Sequence, residues 1–178
     1  MFGVSTSLGT DESPRDSYDE FVPSHLPEPG PFLSGHSVLS GRSHGAFHRL
    51  TRDLFERRTV YDMTFGYNLA RLNLDGRHPD AGYRYAEEHG DSNTLRAEFT
   101  PTTPFCPQSR TLTVGSFRAW NGLTEWHEYD LVRVRVHPMH QNAETINEEL
   151  ERVETKFRQL GTLPDATESF GETGSTVR

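Results

Sequence analysis

Residues 130–136 read Asp-Leu-Val-Arg-Val-Arg-Val (DLVRVRV). Asp130, Val132, Val134 and Val136 alternate with Leu131, Arg133 and Arg135, the two-residue period of a strand. Its valine face requires burial, and its arginine face requires solvent or another layer. Pro138 ends the strand. Beyond it Asn142 is a good helix N-cap and Glu144 suits the positive helix start. Ala143, Ile146, Leu150, Val153, Phe157 and Leu160 then step by three and four, and Gly161 follows. That spacing predicts a helix over 143–160 laid against the valine strand.

Upstream, Leu95, Ala97 and Phe99 alternate as an incoming strand and open the stretch Leu95–Leu112, LRAEFTPTTPFCPQSRTL. Proline fixes φ and removes a ladder donor, so Thr100-Pro101-Thr102-Thr103-Pro104 reads as a rigid extended exit from a sheet edge. Pro107 biases Cys106 itself toward extended backbone. After this segment Leu112, Val114 and Ser116 share one face of an alternating element. Ala119, Trp120 and Leu123 also fit a short helix there, and Asn121-Gly122 marks a turn.

An earlier helix is expected from Ser43 to Arg57, with Ser43 as its cap, Ala46, Phe47, Leu50 and Leu54 as its apolar stripe, and Arg57 and Arg58 at its negative end. His44 and His48 share a face of it. With no third ligand at a matching position, solvated or capping histidines are the simpler account. Val60–Leu74 reads as one bent strand or two short ones, with Leu69 out of register. The order is helix, strands, cysteine segment, strand, helix. Two helices alone would leave the valine face bare. The reading is therefore a small α/β (α+β) two-layer sandwich: a three- or four-stranded mixed sheet against helices.

Length suits one domain with tails. Residues 1–41, rich in proline, serine and glycine, read as a disordered or loosely docked acidic arm, with Phe21-Val22 and Phe32-Leu33 as possible docking pairs. The domain spans 42–160 with a polar excursion at 75–93, pinned to the body by Tyr83 and Tyr85, and 161–178 reads as a disordered acidic tail. Of the formal net charge of -8, the arm holds six acids and one arginine (-5) and the tail three acids and one arginine (-2). The middle is nearly neutral, without the basic surplus that a phosphate backbone requires, so no nucleic-acid partner is expected. No run approaches the roughly 20 apolar residues of a membrane span. The first residues lack the basic and apolar regions of a signal peptide. One cysteine excludes an internal disulfide framework and fits a reducing, cytoplasmic setting.

Cys106 has two readings. As a small interior hydrophobe it makes the segment a stiff connection inside an interaction module. As a thiolate it is a nucleophile and a soft-metal ligand. Arg110 stands near it in sequence. His127, His137 and His140 are candidate bases for a thiol-dependent enzyme, and His137-Pro138-Met139-His140 offers further ligands. No phosphate-binding glycine loop, paired catalytic carboxylates or H-E-x-x-H run is present. A single thiolate holds iron only in a shared, transient way, because a resident cluster takes four ligands.

Thr102-Thr103-Pro104-Phe105-Cys106-Pro107 after the strand Leu95–Phe99, together with the later YDLVRVRVHPMH, resembles the iron–sulfur cluster assembly domain family, also called the metal–sulfur cluster biosynthesis family. The resemblance covers about 42–160 and is specific at 99–107 and 129–140. The Asp-Leu-Gly signature that many members carry after the first helix is met only by Tyr61-Asp62-Met63, and the excursion from Asp75 exceeds the compact family pattern. The resemblance implies a non-catalytic carrier, scaffold or targeting adaptor for iron–sulfur protein maturation. Cys106 would be its ligating or reactive thiol, and Thr102, Thr103, Pro104 and Pro107 would shape its loop. Arg110, His137 and His140 would be auxiliary. A transient iron–sulfur cluster or iron would be shared with a second copy or with a client apoprotein or other assembly factor.

Overall fold

In the computed structural model, which describes residues 26–161 and 163, the valine strand is β6 (Leu131–Val136), and Val132, Val134 and Val136 are at most 1% exposed. It lies at one edge of a four-stranded mixed sheet of order β1 (Ser37–Val38), β4 (Gly82–Glu88), β5 (Asp91–Thr100), β6. β4 and β5 form an antiparallel hairpin. β5 and β6 run parallel, with Phe99 opposite Val136, so the chain between them must cross over through a helix.

That crossover is α2 (Ser109–Gly122), and it shares a sheet face with α1 (Gly41–Arg58). Phe47 and Phe55 of α1 and Trp120 of α2 close on Tyr83 and Tyr85, with ring centroids 4.8 Å apart for Phe47–Tyr85 and 5.0 Å for Tyr83–Trp120. α3 (Ala143–Leu160) runs along β6, burying Ile146, Leu150 and Val153, and sets Phe157 edge-on to Phe117. Gly161 ends α3 in the left-handed conformation expected of it, while Asn142 occupies the N-cap position without a side-chain capping bond.

At 112–116 the helical alternative holds, and four local expectations change. Those residues form the middle of α2: Leu112, Thr113, Val114, Ser116, Phe117, Ala119 and Trp120 are all buried, and a helix covered on several sides loses the polar face that identifies it. In 60–74 the strand content shrinks to a two-residue hairpin, β2 (Tyr61–Asp62) with β3 (Tyr67–Asn68). A 3₁₀ turn over Leu69–Leu74 follows, opened by Asn68, whose Oδ1 accepts the Ala70 N–H. The polar excursion 75–93 holds β4, because the fully buried Tyr83 and Tyr85 face the helices while Arg84 faces the other way. α1 starts two residues earlier than read. Ser43 sits in its first turn, where its Oγ accepts the Ser40 N–H. His44 and His48 are buried rather than solvated, stacked with centroids 5.3 Å apart. The His48 ring spans from Tyr85 Oη (2.6 Å) to the Ala70 carbonyl (2.7 Å). Since a carbonyl only accepts, His48 carries its proton on Nε2.

Residues 26–40 of the arm are tightly held; the readings on 1–25, Phe21-Val22 included, and on 164–178 lie outside the described residues. Leu33 is fully buried, and the strap crosses the charged face of the sheet. Both oxygens of Glu98, itself 1% exposed, accept strap N–H groups, from Gly30 (2.6 Å) and Phe32 (3.3 Å). A Cβ at Gly30 would meet Glu98 Oε2 and His137 Cδ2 at 2.6 Å, so only glycine fits. The Phe32 ring has Arg96, Arg135 and Arg133 guanidiniums 4.5, 5.2 and 5.5 Å from its centre. The arginine face of β6 thus meets another layer, completed by Glu154 of α3, which bonds Arg133 and Arg135 at 3.0 and 2.9 Å.

Three asparagines finish the sheet margins. Asn121 takes both the Val132 N–H (2.9 Å) and its carbonyl (3.0 Å), Asn147 does the same for Val136 (2.7 and 3.1 Å), and Asn73 for Tyr83 on the far side of β4 (2.8 Å each). A primary amide presents one donor and one acceptor side by side, as a neighbouring strand would. Gly82 has φ +120°, and any Cβ there would collide with the Asn73 side chain.

Candidate functional site

Parallel β5 and β6 end side by side, and the His137 N–H closes that end on the Phe99 carbonyl (2.8 Å). The chain leaves β5 through Pro101–Gln108 and leaves β6 through His137–Asn142. Topology alone therefore brings together the cysteine segment and the HPMH turn, at the carboxyl ends of the strands, where α/β folds tend to place their sites.

Cys106 is half-buried and is the free cysteine of the chain. Thr103 shapes its loop twice: its Oγ1 accepts the Phe105 N–H (3.2 Å) and its carbonyl accepts the Cys106 N–H (3.4 Å). Thr102 is half-buried, and Pro104, Phe105 and Pro107 are exposed, with Phe105 65% exposed. The Cys106 carbonyl accepts the Ser109 N–H (3.4 Å) in the first turn of α2, so the thiol-bearing residue stands just before the helix start.

The β6–α3 turn grips this loop at two points. The Gln141 N–H donates to the Pro104 carbonyl (2.8 Å), and His140 Nε2 lies 2.8 Å from the Cys106 carbonyl. His140 Nδ1 accepts the Asn142 N–H (2.9 Å), so the proton sits on Nε2 and is donated to Cys106. The ring is 4% exposed. His137 faces elsewhere: its Nδ1 accepts the Met139 N–H (2.9 Å) and its ring lies against Gly30 and Glu98. Arg110 forks onto Glu149 of α3, with the Nη2–Oε2 arm at 2.8 Å, and ties the start of α2 to α3. His127 is structural: it bonds the Trp120 carbonyl (2.9 Å) through Nε2, accepts the Tyr129 N–H, and burial holds its pKa below the usual value. Burial likewise raises the Glu98 carboxyl, against the pull of the Gly30 N–H and of His137.

Sequence reasoning missed Gln108 and the Asp62–Gly66 turn. Gln108 accepts the Met63 N–H (2.7 Å) and donates to Thr64 Oγ1 (2.7 Å), holding that turn against the helix start, with Met63 79% exposed. The turn itself was legible, since Asp62 Oδ1 accepts the Thr64 and Phe65 N–H groups and Gly66 follows. A tether spanning 45 residues leaves no local signal.

Among the described residues no group of three or more His, Cys, Asp and Glu is placed to hold a metal ion, and no helix is long and apolar enough to cross a membrane. Fold and site together define a small α+β domain that presents one thiol from the carboxyl end of a parallel strand pair. Residues 13–164 match a domain of unknown function, DUF7998, and the chain belongs to that family. No curated protein and no solved structure matches the chain.

Proposed function

We propose that this chain is a non-catalytic factor in iron–sulfur protein maturation, a member by descent of the assembly-domain family it resembles, acting as carrier, scaffold or targeting adaptor through Cys106. One observation carries the reading. The two segments most specific to the resemblance, 99–107 and 129–140, lie together around a half-buried thiol at the exit of a parallel strand pair. Rigid prolines and two transverse hydrogen bonds suit a thiol presented to a partner.

A lone thiolate binds a cluster only together with ligands from elsewhere, so the cluster is cargo, completed by a second copy of the chain or by a client apoprotein. Exposed Phe105 beside the thiol offers apolar contact to such a partner. In this reading the work is done in the cytoplasm, and a single cysteine fits such a reducing compartment. Replacing Cys106 with Ser tests the reading: activation of a client iron–sulfur enzyme is lost while melting temperature stays within about 2 °C, as expected for a half-exposed isosteric change. Unchanged activation at equal abundance removes Cys106 from the function.

A further inference from the structure

We propose that His140 is the positioning residue of the Cys106 loop, fixing the thiol by donating its Nε2 proton to the Cys106 carbonyl. The ring has two bonds with separable jobs. Nδ1 receives the Asn142 N–H and so belongs to the turn that starts α3. That bond also dictates the tautomer, leaving Nε2–H as the donor to Cys106 across 34 residues of sequence. The ring is 4% exposed, so water does not readily replace the lost donor if it is removed.

The same turn holds Pro104 through the Gln141 N–H, but that bond is made by backbone and survives any side-chain change. His140 is therefore the side chain of the turn that links α3 to the thiol-bearing residue itself. The role rests on Cys106 being the working group of the protein. It is not general base chemistry: Nε2 already carries its proton and spends it on a carbonyl, so no lone pair faces the sulfur from this ring.

Amide side chains separate the two jobs. In His140→Asn the side-chain oxygen replaces Nδ1 and keeps the Asn142 bond, but is too short to reach Cys106. In His140→Gln the terminal amide reaches the Nε2 position and keeps the donor to Cys106. The full chain is alkylated with iodoacetamide, with the thiolate fraction measured separately by absorbance near 240 nm, so that placement and ionisation are read apart. A neutral hydrogen bond of this kind biases a held loop over a released one by about fivefold. His140→Asn is expected to raise the rate per thiolate by about that factor, toward the rate of the urea-unfolded chain, and His140→Gln to return it to the wild-type value. An unchanged or slower rate in His140→Asn overturns the proposal, as does a His140→Gln rate equal to that of His140→Asn. Melting temperatures of both variants confirm that each is folded; should His140→Asn unfold, His140→Gln against His140→Leu carries the same comparison. The assay contains no iron, sulfide or client, so its failure is distinct from failure of the assembly role.

Discussion

Acidification from pH 7.5 to pH 5.0 should cost this protein about 4 kcal/mol of stability through His44 and His48. Both rings are 2% exposed. Burial first, then the neighbouring His48 and Arg84 charges, lowers the His44 pKa to about 2. Burial lowers His48 to about 4 against the opposing pull of the Ala70 carbonyl. In the unfolded chain both titrate near 6.5. Between these values the unfolded state binds protons that the folded state refuses, so stability is full above about pH 6.5 and falls as pH drops. At pH 5.0 the unfolded histidine is almost wholly protonated and the buried one almost wholly neutral, which works out to about 2 kcal/mol for each ring. Glu98, whose carboxyl is raised by burial, acts in the opposite sense as pH falls from its folded toward its unfolded pKa. The assay is urea denaturation of the full chain at the two pH values, with thermal melting in parallel, where roughly 10–20 °C should be lost. The variant His48→Gln keeps a donor to the Ala70 carbonyl and does not titrate, so its loss should be about 2 kcal/mol smaller than that of the wild type. Equal stability at pH 7.5 and 5.0, or a His48→Gln slope as steep as wild type, refutes the burial argument.

Three further outcomes are expected. Asn121→Ala strands the Val132 N–H and carbonyl in a buried site and should cost about 2–4 kcal/mol by urea denaturation, while an exposed control such as Arg42→Ala stays within about 0.5. Gly30→Ala should push the strap off Glu98 and His137, costing about 1–3 kcal/mol and speeding proteolysis near residue 30; wild-type protease resistance would show that the strap shifts at no cost. Glu154→Ala leaves Arg133 and Arg135 without their shared carboxylate and should cost about 3–5 kcal/mol, an effect that Glu154→Gln only partly repairs.

Much of the frame could be read from side-chain period. Val132, Val134 and Val136 announce β6, and the stripe from Ala143 to Phe157 announces α3, because each element buries one face and leaves the other polar. The period fails where burial is not one-sided. α2 is enclosed by β6, α1 and α3, so its polar Thr113, Ser116 and Asn121 are interior and satisfy themselves on backbone carbonyls. β4 hides in a polar stretch because its outward residues, Arg84 and Glu88, have partners in the strap and in neighbouring strands. At the site, the prolines marked Thr100–Pro104 as a rigid extended exit, whereas residues 102–105 bend and turn, with the Cys106 N–H closing on the Thr103 carbonyl, a bond that proline spacing does not announce. The bond from His140 was not legible either, since only the parallel pairing of β5 with β6 brings positions 106 and 140 together.

Asn121 and Asn147 on one side, and Asn73 with β1 on the other, have a consequence for how any partner attaches. With Val132, Val136 and Tyr83 answered by amides, the Val134 carbonyl by Arg135, and β1 laid on Ala86 and Glu87, the sheet margins are an interrupted template for a visiting strand, so recognition by strand addition is disfavoured. The same closure guards against sheet-to-sheet aggregation of the kind that exposed strands invite. Contact with another protein is left to side chains and loops, and the end of the molecule that carries Phe105 and Cys106 is where such a contact meets the thiol.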